Sequence, residues 1–225
     1  MKVTQISEHI WSLKTWIFIP IHVWAVKEEG GITLVDTGLS MMAKEILNTI
    51  EQLQAGPLQR IVLTHGHPDH VGGINRILNT HLAPVHTHRM EIPYIEGELP
   101  YRSGKKAVAS MQKGLIQALR EDEHGQMQPI GSLTPYHTPG HSPGHVVYYH
   151  ENDRVLLAGD LFSSKNGKLR KPLFTADMEE VLRSSSIVGK LRPKRLEVCH
   201  GNSVFNAADQ LEAYIAKASR SEHSK

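Results

Sequence analysis

The segment Thr64-His65-Gly66-His67-Pro68-Asp69-His70 constrains this chain more than any other. Four metal-capable side chains fall within six positions, directly behind the apolar run Ile61-Val62-Leu63. A short β-branched run of this kind reads as a buried strand, and Gly72 to Leu78 reads as the start of a helix. Strand, polar loop and helix in succession form the unit of an α/β fold. Such folds place their chemistry at the C-terminal ends of strands. A metal-dependent enzyme is therefore the leading expectation.

The flanking sequence supports that class. Ile17 to Val26 is apolar and aromatic-rich, with Pro20 inside it, and Glu28-Glu29-Gly30-Gly31 is a turn. Ile32-Thr33-Leu34-Val35 then runs into Asp36-Thr37-Gly38, which predicts an N-terminal hairpin or meander. Met42, Ile46, Leu47, Ile50 and Leu53 keep a helical period until Gly56-Pro57 stops it. Residues 88–128 lack strand signals, and Val108, Met111, Leu115 and Leu119 predict a helix over Lys106 to Glu121. This segment reads as a helical insertion bordering the active site. Beyond it, Val146 to Tyr149 is expected to pair with Val155 to Ala158 across the Glu151-Asn152-Asp153 turn. Asp177 is a candidate N-cap for a helix reaching about Val188. Arg195 to Cys199 is a last strand, and Ala207 to Ala218 a closing helix. Both halves run strands then helices, which hints at a duplicated unit packed sheet against sheet in one domain over residues 1–225.

Composition narrows the setting. The chain has 225 residues, 40% of them hydrophobic, enough for a sizeable core. A formal net charge of +2 argues neither for nor against nucleic acid. Cys199 is the single cysteine, so no intramolecular disulfide can form, which suits a reducing compartment. The N-terminus lacks the pattern of a secretory signal. No stretch approaches the roughly 20 apolar residues of a membrane span. Arg102, Lys105, Lys106 and Lys113 are interspersed with acids and form no strong basic track, so nucleic acid is not the expected partner. The expectation is a cytoplasmic protein, monomer or homodimer, acting on a small molecule without a membrane.

One near-tetrahedral ion cannot accept all four loop side chains together with ligands from elsewhere. Two ions divide them naturally, His65 and His67 serving the first, Asp69 and His70 the second. Later segments offer the remainder. His141 sits in Thr138-Pro139-Gly140-His141-Ser142-Pro143-Gly144-His145. Asp160 follows Leu156-Leu157-Ala158-Gly159, and His200 follows Leu196-Glu197-Val198-Cys199. Asp160 has two oxygens and can bridge both ions, while His141 would complete the first site and His200 the second. His145, four residues beyond His141, could also look like a ligand, and Asp36 is read as a support that holds a histidine tautomer or the loop. Cys199 is read as a small buried side chain.

These residues resemble the signature of the metallo-β-lactamase fold superfamily, His65-x-His67-x-Asp69-His70 with His141, Asp160 and His200 following in order. The likeness runs from Val23 to about Tyr214, and its pattern uses His141 rather than His145, which implies a supporting or structural role for His145. It implies an αββα four-layer sandwich, with two mixed β-sheets face to face and helices outside. It also implies two divalent ions, commonly Zn2+, with Mn2+ or Fe2+ as alternatives. The implied mechanism is attack by a hydroxide held between the ions on a carbonyl or phosphoryl centre. Asp69 would bind the second ion and act catalytically, orienting the hydroxide or passing a proton to the leaving group.

Within that superfamily the chain is similar to hydroxyacylglutathione hydrolases through Thr138-Pro139-Gly140-His141. Only 25 residues follow His200, so the C-terminal glutathione-binding region of those enzymes is missing or reduced. Acyl-homoserine lactonases carry the same ligand set and a tyrosine just beyond the bridging Asp. Here Leu161, Phe162, Ser163 and Ser164 follow Asp160. The expected activity is hydrolysis of a small ester, lactone or thioester with an apolar portion. The apolar portion is read from Trp16, Phe18, Ile19, Ile21 and Trp24 in the N-terminal strands, and from Tyr94, Tyr101, Met111 and Leu115 in the insertion. The alternatives are a mononuclear iron persulfide dioxygenase-like enzyme, a phosphodiesterase or nuclease, and a non-catalytic metal-binding protein.

Overall fold

The computed structural model describes residues 1–102 and 104–222. Its first half is a seven-stranded mixed sheet: β1 (Lys2–Gln5), β2 (Ile10–Trp16), β3 (Pro20–Glu28), β4 (Gly31–Val35), β5 (Leu58–Val62), β6 (Val85–Thr87) and β7 (Ile116–Ala118), in that order. β1 to β4 form an antiparallel meander. From β4 onward the pairing is parallel. The switch follows from connection length, since a parallel return needs a crossover of a dozen or more residues. Helices α1 (Ala43–Gln52), α2 (Pro68–Val71) and α3 (Ile74–Leu78) lie in the crossovers from β4 to β5 and from β5 to β6, and α4 (Ile92–Ile95) lies in that from β6 to β7.

The second sheet contains β8 (Leu133–His137), β9 (Val146–His150) and β10 (Val155–Leu157). A separate hairpin, β11 (Ser163–Lys165) and β12 (Lys168–Arg170), interrupts the chain. Helices α5 (Met178–Ser184) and α6 (Ser186–Leu191) follow, then β13 (Arg195–Glu197), β14 (Val204–Phe205) and α7 (Ala207–Glu222). The spatial order is β14-β13-β10-β9-β8. The expected hairpin is present: Leu156 opposes Tyr149 and Leu157 opposes Tyr148.

Strand periodicity explains the layering. Successive side chains of a strand point to opposite faces. On β9, Val146 and Tyr148 enter the core shared with the first sheet, while Val147 and Tyr149 enter a second core. On β10, Val155 and Leu157 face the first core and Leu156 the second. The second core is closed by Val181 of α5, Val188 of α6, and Ala207 and Tyr214 of α7. A sheet buried on both faces reads as a continuous apolar run, as Val155-Leu156-Leu157 does. On the far side, Ile46 and Ile50 of α1 and Ile77 of α3 join the first core. The result is the expected αββα sandwich.

The segment 88–128 departs from expectation. No helix spans Lys106 to Glu121; the segment contains α4 and the strand β7. Of the four residues assigned to one helical face, Met111 and Leu119 are 3% and 4% exposed, but Val108 and Leu115 are 75% and 51% exposed. Gly114 in a left-handed conformation (φ 82°) breaks the run. Ile116-Gln117-Ala118 then pairs with Val85-His86-Thr87 as the edge of the first sheet. Tertiary pairing overrides a helical pattern that local spacing alone suggested. The helix expected from Asp177 is likewise divided into α5 and α6. Its cap is as read, Glu180 N–H donating to Asp177 Oδ1 at 2.9 Å.

Candidate metal centre

The candidate site lies where β4, β5, β10 and β13 end. β4 delivers Asp36, which is fully buried with φ 60°. β5 runs through Leu63 into Thr64 and His65. Thr64 N–H donates to Asp36 Oδ1 and Thr64 Oγ1–H to Asp36 Oδ2, both at 2.8 Å. His70 Nδ1 lies 2.8 Å from the same Oδ2. A carboxylate only accepts, so Nδ1 of His70 carries the proton and Nε2 is directed away from Asp36. The supporting role assigned to Asp36 is therefore visible atom by atom. His200 is oriented in the same manner, its Nδ1 donating to the Pro20 carbonyl at 2.9 Å. These fixed tautomers aim ring nitrogens at the ion positions.

All seven candidate ligands converge in two groups. In the first, His65 Nε2 lies 2.9 Å from His67 Nδ1. His141 Nε2 lies 3.1 Å from His65 Nε2 and 3.0 Å from His67 Nδ1. Burial, followed by neighbouring histidines, holds His65 well below its ordinary pKa and His67 down to about 3. Burial also lowers His141, against the pull of Asp160. A cation among these three nitrogens would let each neutral imidazole turn a lone pair toward it. A tetrahedral ion with nitrogens at about 2.0–2.1 Å separates them by roughly 3.3 Å, close to the spacing here.

In the second group, His200 Nε2 lies 3.1 Å from Asp69 Oδ2 and 3.2 Å from Asp160 Oδ2. His70 Nε2 faces Asp160 Oδ1 at 3.7 Å, too long for a hydrogen bond. Both of those atoms are buried and neither has a hydrogen-bond partner among the described residues. Burial opposes ionisation of Asp160, but His70 and His200 outweigh it and its pKa is strongly lowered. Burial opposes ionisation of Asp69 too, but the bond to His200 together with the charges of His70 and His200 outweighs it and holds the pKa down to about 2. Burial also opposes protonation of His200, while bonds to Asp160 and Asp69 raise it. Asp160 Oδ2 also stands 3.5 Å from His141 Nε2, so one carboxylate borders both groups. The clusters His65, His67, His141 and Asp69, His70, Cys199, His200 can each coordinate a metal ion, as can His65, His70, Asp160.

His145 supports the centre rather than facing it. Asp160 N–H donates to His145 Nε2 at 3.1 Å, and His145 Nδ1 lies 2.8 Å from Thr138 Oγ1. Its outward lone pair is thus already used. Cys199 is buried, as expected of a small side chain, and its sulfur belongs to the second cluster. A separate set, His9, His150 and Asp153, lies at the opposite ends of β9 and β10. It is closed by its own hydrogen bonds, His9 Nδ1 to Asp153 Oδ1 at 2.8 Å and Asp153 N–H to His150 Nδ1 at 3.2 Å.

A cavity of about 730 Å3 opens over the centre, with His67, Asp69 and His141 in its wall. Tyr94 and Tyr101 line it, as the sequence suggested, together with Val108 and Phe174. Met111 and Leu115 of the insertion do not, and neither do Trp16, Phe18, Ile19, Ile21 and Trp24 of the N-terminal strands. Ile21 and Trp24 are core, and Trp16 and Phe18 are exposed outside the lining. Glu91 went unnoticed in the sequence, yet it is fully buried beside the centre. No short motif surrounds it, because its partners come from three other segments.

The family model of the metallo-beta-lactamase superfamily matches residues 16–200. This chain belongs to that superfamily. Among its relatives in the superfamily, "Probable metallo-hydrolase YybB" of Bacillus subtilis (strain 168) is 34% identical over 223 residues, covering 96% of this chain and 99% of that protein. A metallo-beta-lactamase from Pontibacter korlensis superposes with a TM-score of 0.74 at 20% identity, over 97% of this chain and 98% of that one. A structure of TTHA1623 in a di-iron-bound form gives a TM-score of 0.66 at 25% identity, over 87% and 94% of the two chains. Superfamily membership and the metal-capable clusters together make the chain a metal-dependent hydrolase. Among the described residues, no helix is long and apolar enough to cross a membrane.

Proposed function

We propose that the chain is a dinuclear hydrolase of small esters, lactones or thioesters carrying an apolar portion. The reading rests on the two orphaned atoms, His70 Nε2 and Asp160 Oδ1, buried and 3.7 Å apart. Buried polar atoms without partners are costly, and a cation between these two would satisfy both. His65, His67 and His141 would hold a first ion, and Asp69, His70 and His200 a second, with Asp160 shared. Zinc suits this nitrogen and oxygen donor set, and the di-iron form of TTHA1623 makes iron the second choice. When bound, such ions supply Lewis acidity that acidifies water and polarises a scissile carbonyl.

The chain's own residues do the rest. Asp69 lines the cavity and is ionised, so it accepts a hydrogen bond from an attacking water and orients it. Tyr94, Tyr101, Val108 and Phe174 present apolar surface to the substrate body and exclude bulk water around it. A screen of esters, lactones and thioesters with the metal-loaded protein and an Asp69→Asn variant tests this reading. One class should be turned over, with kcat lowered about 100-fold or more in the variant. No turnover in any class, or an unimpaired variant, would overturn it.

A further inference from the structure

Glu91 is a fully buried carboxylate that follows β6 and occupies the N-cap position of α4 without a side-chain bond to that helix. Its two oxygens receive four donors from three segments. Oε2 accepts from the Gly66 N–H at 3.2 Å and from the Tyr101 hydroxyl. Oε1 accepts from the Gly144 N–H at 2.9 Å and from the Ser142 hydroxyl. Gly66 separates His65 from His67, and Ser142 and Gly144 follow His141. Gly66 and Ser142 therefore adjoin histidines of the first group, and Gly144 lies three residues beyond His141 on the same loop. Tyr101 is tied to the same group by its ring, which meets His67 edge-on with centroids 4.6 Å apart.

The sequence is shaped around this carboxylate. A Cβ at Gly66 would collide with the Tyr101 hydroxyl and Ile95, and one at Gly144 with the backbone and Cγ of Glu91. Both histidine loops are glycine where they approach Glu91 and its partner. A buried carboxylate accepting two backbone N–H and two hydroxyl donors is satisfied without a counter-cation. Its removal would orphan donors on both loops at once. Among the described residues, its hydrogen bonds go to Gly66, Tyr101, Ser142 and Gly144, and none goes to Asp69, His70 or His200.

We propose that Glu91 is a positioning residue for the first ion, clamping the His65–His67 loop to the His141 loop while leaving the second ion's ligands untouched. This rests on the dinuclear reading above. The unequal effect on two ions is what separates positioning from a general structural role. Glu91→Gln keeps the shape but turns an NH2 toward two of the four donors. Tyr101→Phe/Ser142→Ala removes the two hydroxyls and keeps the carboxylate.

The test is zinc titration of the 225-residue wild type, both variants, and Glu91→Gln/His200→Ala, by competition with a chromophoric chelator, with thermal melts of the ion-free forms to show that each variant folds. The wild type should bind two ions. Glu91→Gln should bind one with wild-type affinity and the other about 10- to 100-fold more weakly. The double hydroxyl variant should shift the same ion by less, and Glu91→Gln/His200→Ala should retain no tight ion. Two wild-type affinities in Glu91→Gln would overturn the assignment, as would equal weakening of both ions. If Glu91→Gln fails to fold, an unshifted double hydroxyl variant overturns it. A wild type that binds fewer than two ions would instead overturn the dinuclear reading and this inference with it.

Discussion

At the scale of single residues, the site depends on atoms whose partners fix what they can offer. Asp36 determines the tautomer of His70 while satisfying Thr64 from both its backbone and its hydroxyl. Asp36→Ala should lower affinity for the second ion about 10- to 100-fold, measured by chelator competition. It should also destabilise the ion-free protein, since losing a buried acceptor costs about 1–3 kcal/mol. Protonation gives another handle. Bonds to Asp160 and Asp69 hold His200 above its ordinary pKa against burial, so the ion-free protein carries that proton near neutral pH. Zinc must displace it. Uptake in weak buffer should release protons that an indicator dye detects, and affinity should rise with pH. Uptake without release would contradict this assignment. Much of this was legible in the sequence, because His65, His67, Asp69 and His70 are local and Asp160 and His200 each follow an apolar strand. Glu91 was not, because its role comes from Gly66, Tyr101, Ser142 and Gly144, which only the fold brings together.

At the scale of elements, the instructive segment is 88–128. Its apolar residues recur at helical spacing, yet β6 recruits Ile116 to Ala118 as an edge strand. An exposed edge and a helix face leave similar marks in composition, and pairing with a distant strand cannot be read from either. Where the pairing partner is close in sequence, as in the β9–β10 hairpin, the element is legible. The junction between β6 and α4 yields a stability prediction. The His88 ring stacks on His137, centroids 3.9 Å apart and 10° from parallel. Burial first, then His137, lowers its pKa from 6.5 to about 4. Between those values the unfolded chain binds more protons than the folded one, so stability falls as pH drops from about 6.5 towards 4. Above about 6.5 this contribution is constant. Denaturant midpoints of His88→Gln should therefore decline less steeply than those of the wild type over that window, and parallel declines would contradict the assignment.

At the scale of the whole molecule, the two halves each supply part of the centre. The first sheet brings His65, His67, Asp69 and His70, and the second brings His141, Asp160 and His200. Bound ions would then cross-link the sheets as well as serve chemistry. A ligand that binds only the folded state at 1,000 times its Kd adds about 4 kcal/mol. For a chain of this size that corresponds to a rise in Tm on the order of 10 °C. Chelation should lower Tm by that order and zinc should restore it, as read by calorimetry. The layered fold itself depends on the doubly buried second sheet. Leu156→Ala should cost about 2–5 kcal/mol in denaturant unfolding without changing ion stoichiometry.

The most direct test of the centre is anomalous diffraction at the metal edge from crystals of the zinc-loaded protein. Two peaks are expected, one among His65, His67 and His141 and one among Asp69, His70 and His200, with Asp160 between them. A single peak, or peaks away from Asp160, would contradict the dinuclear site.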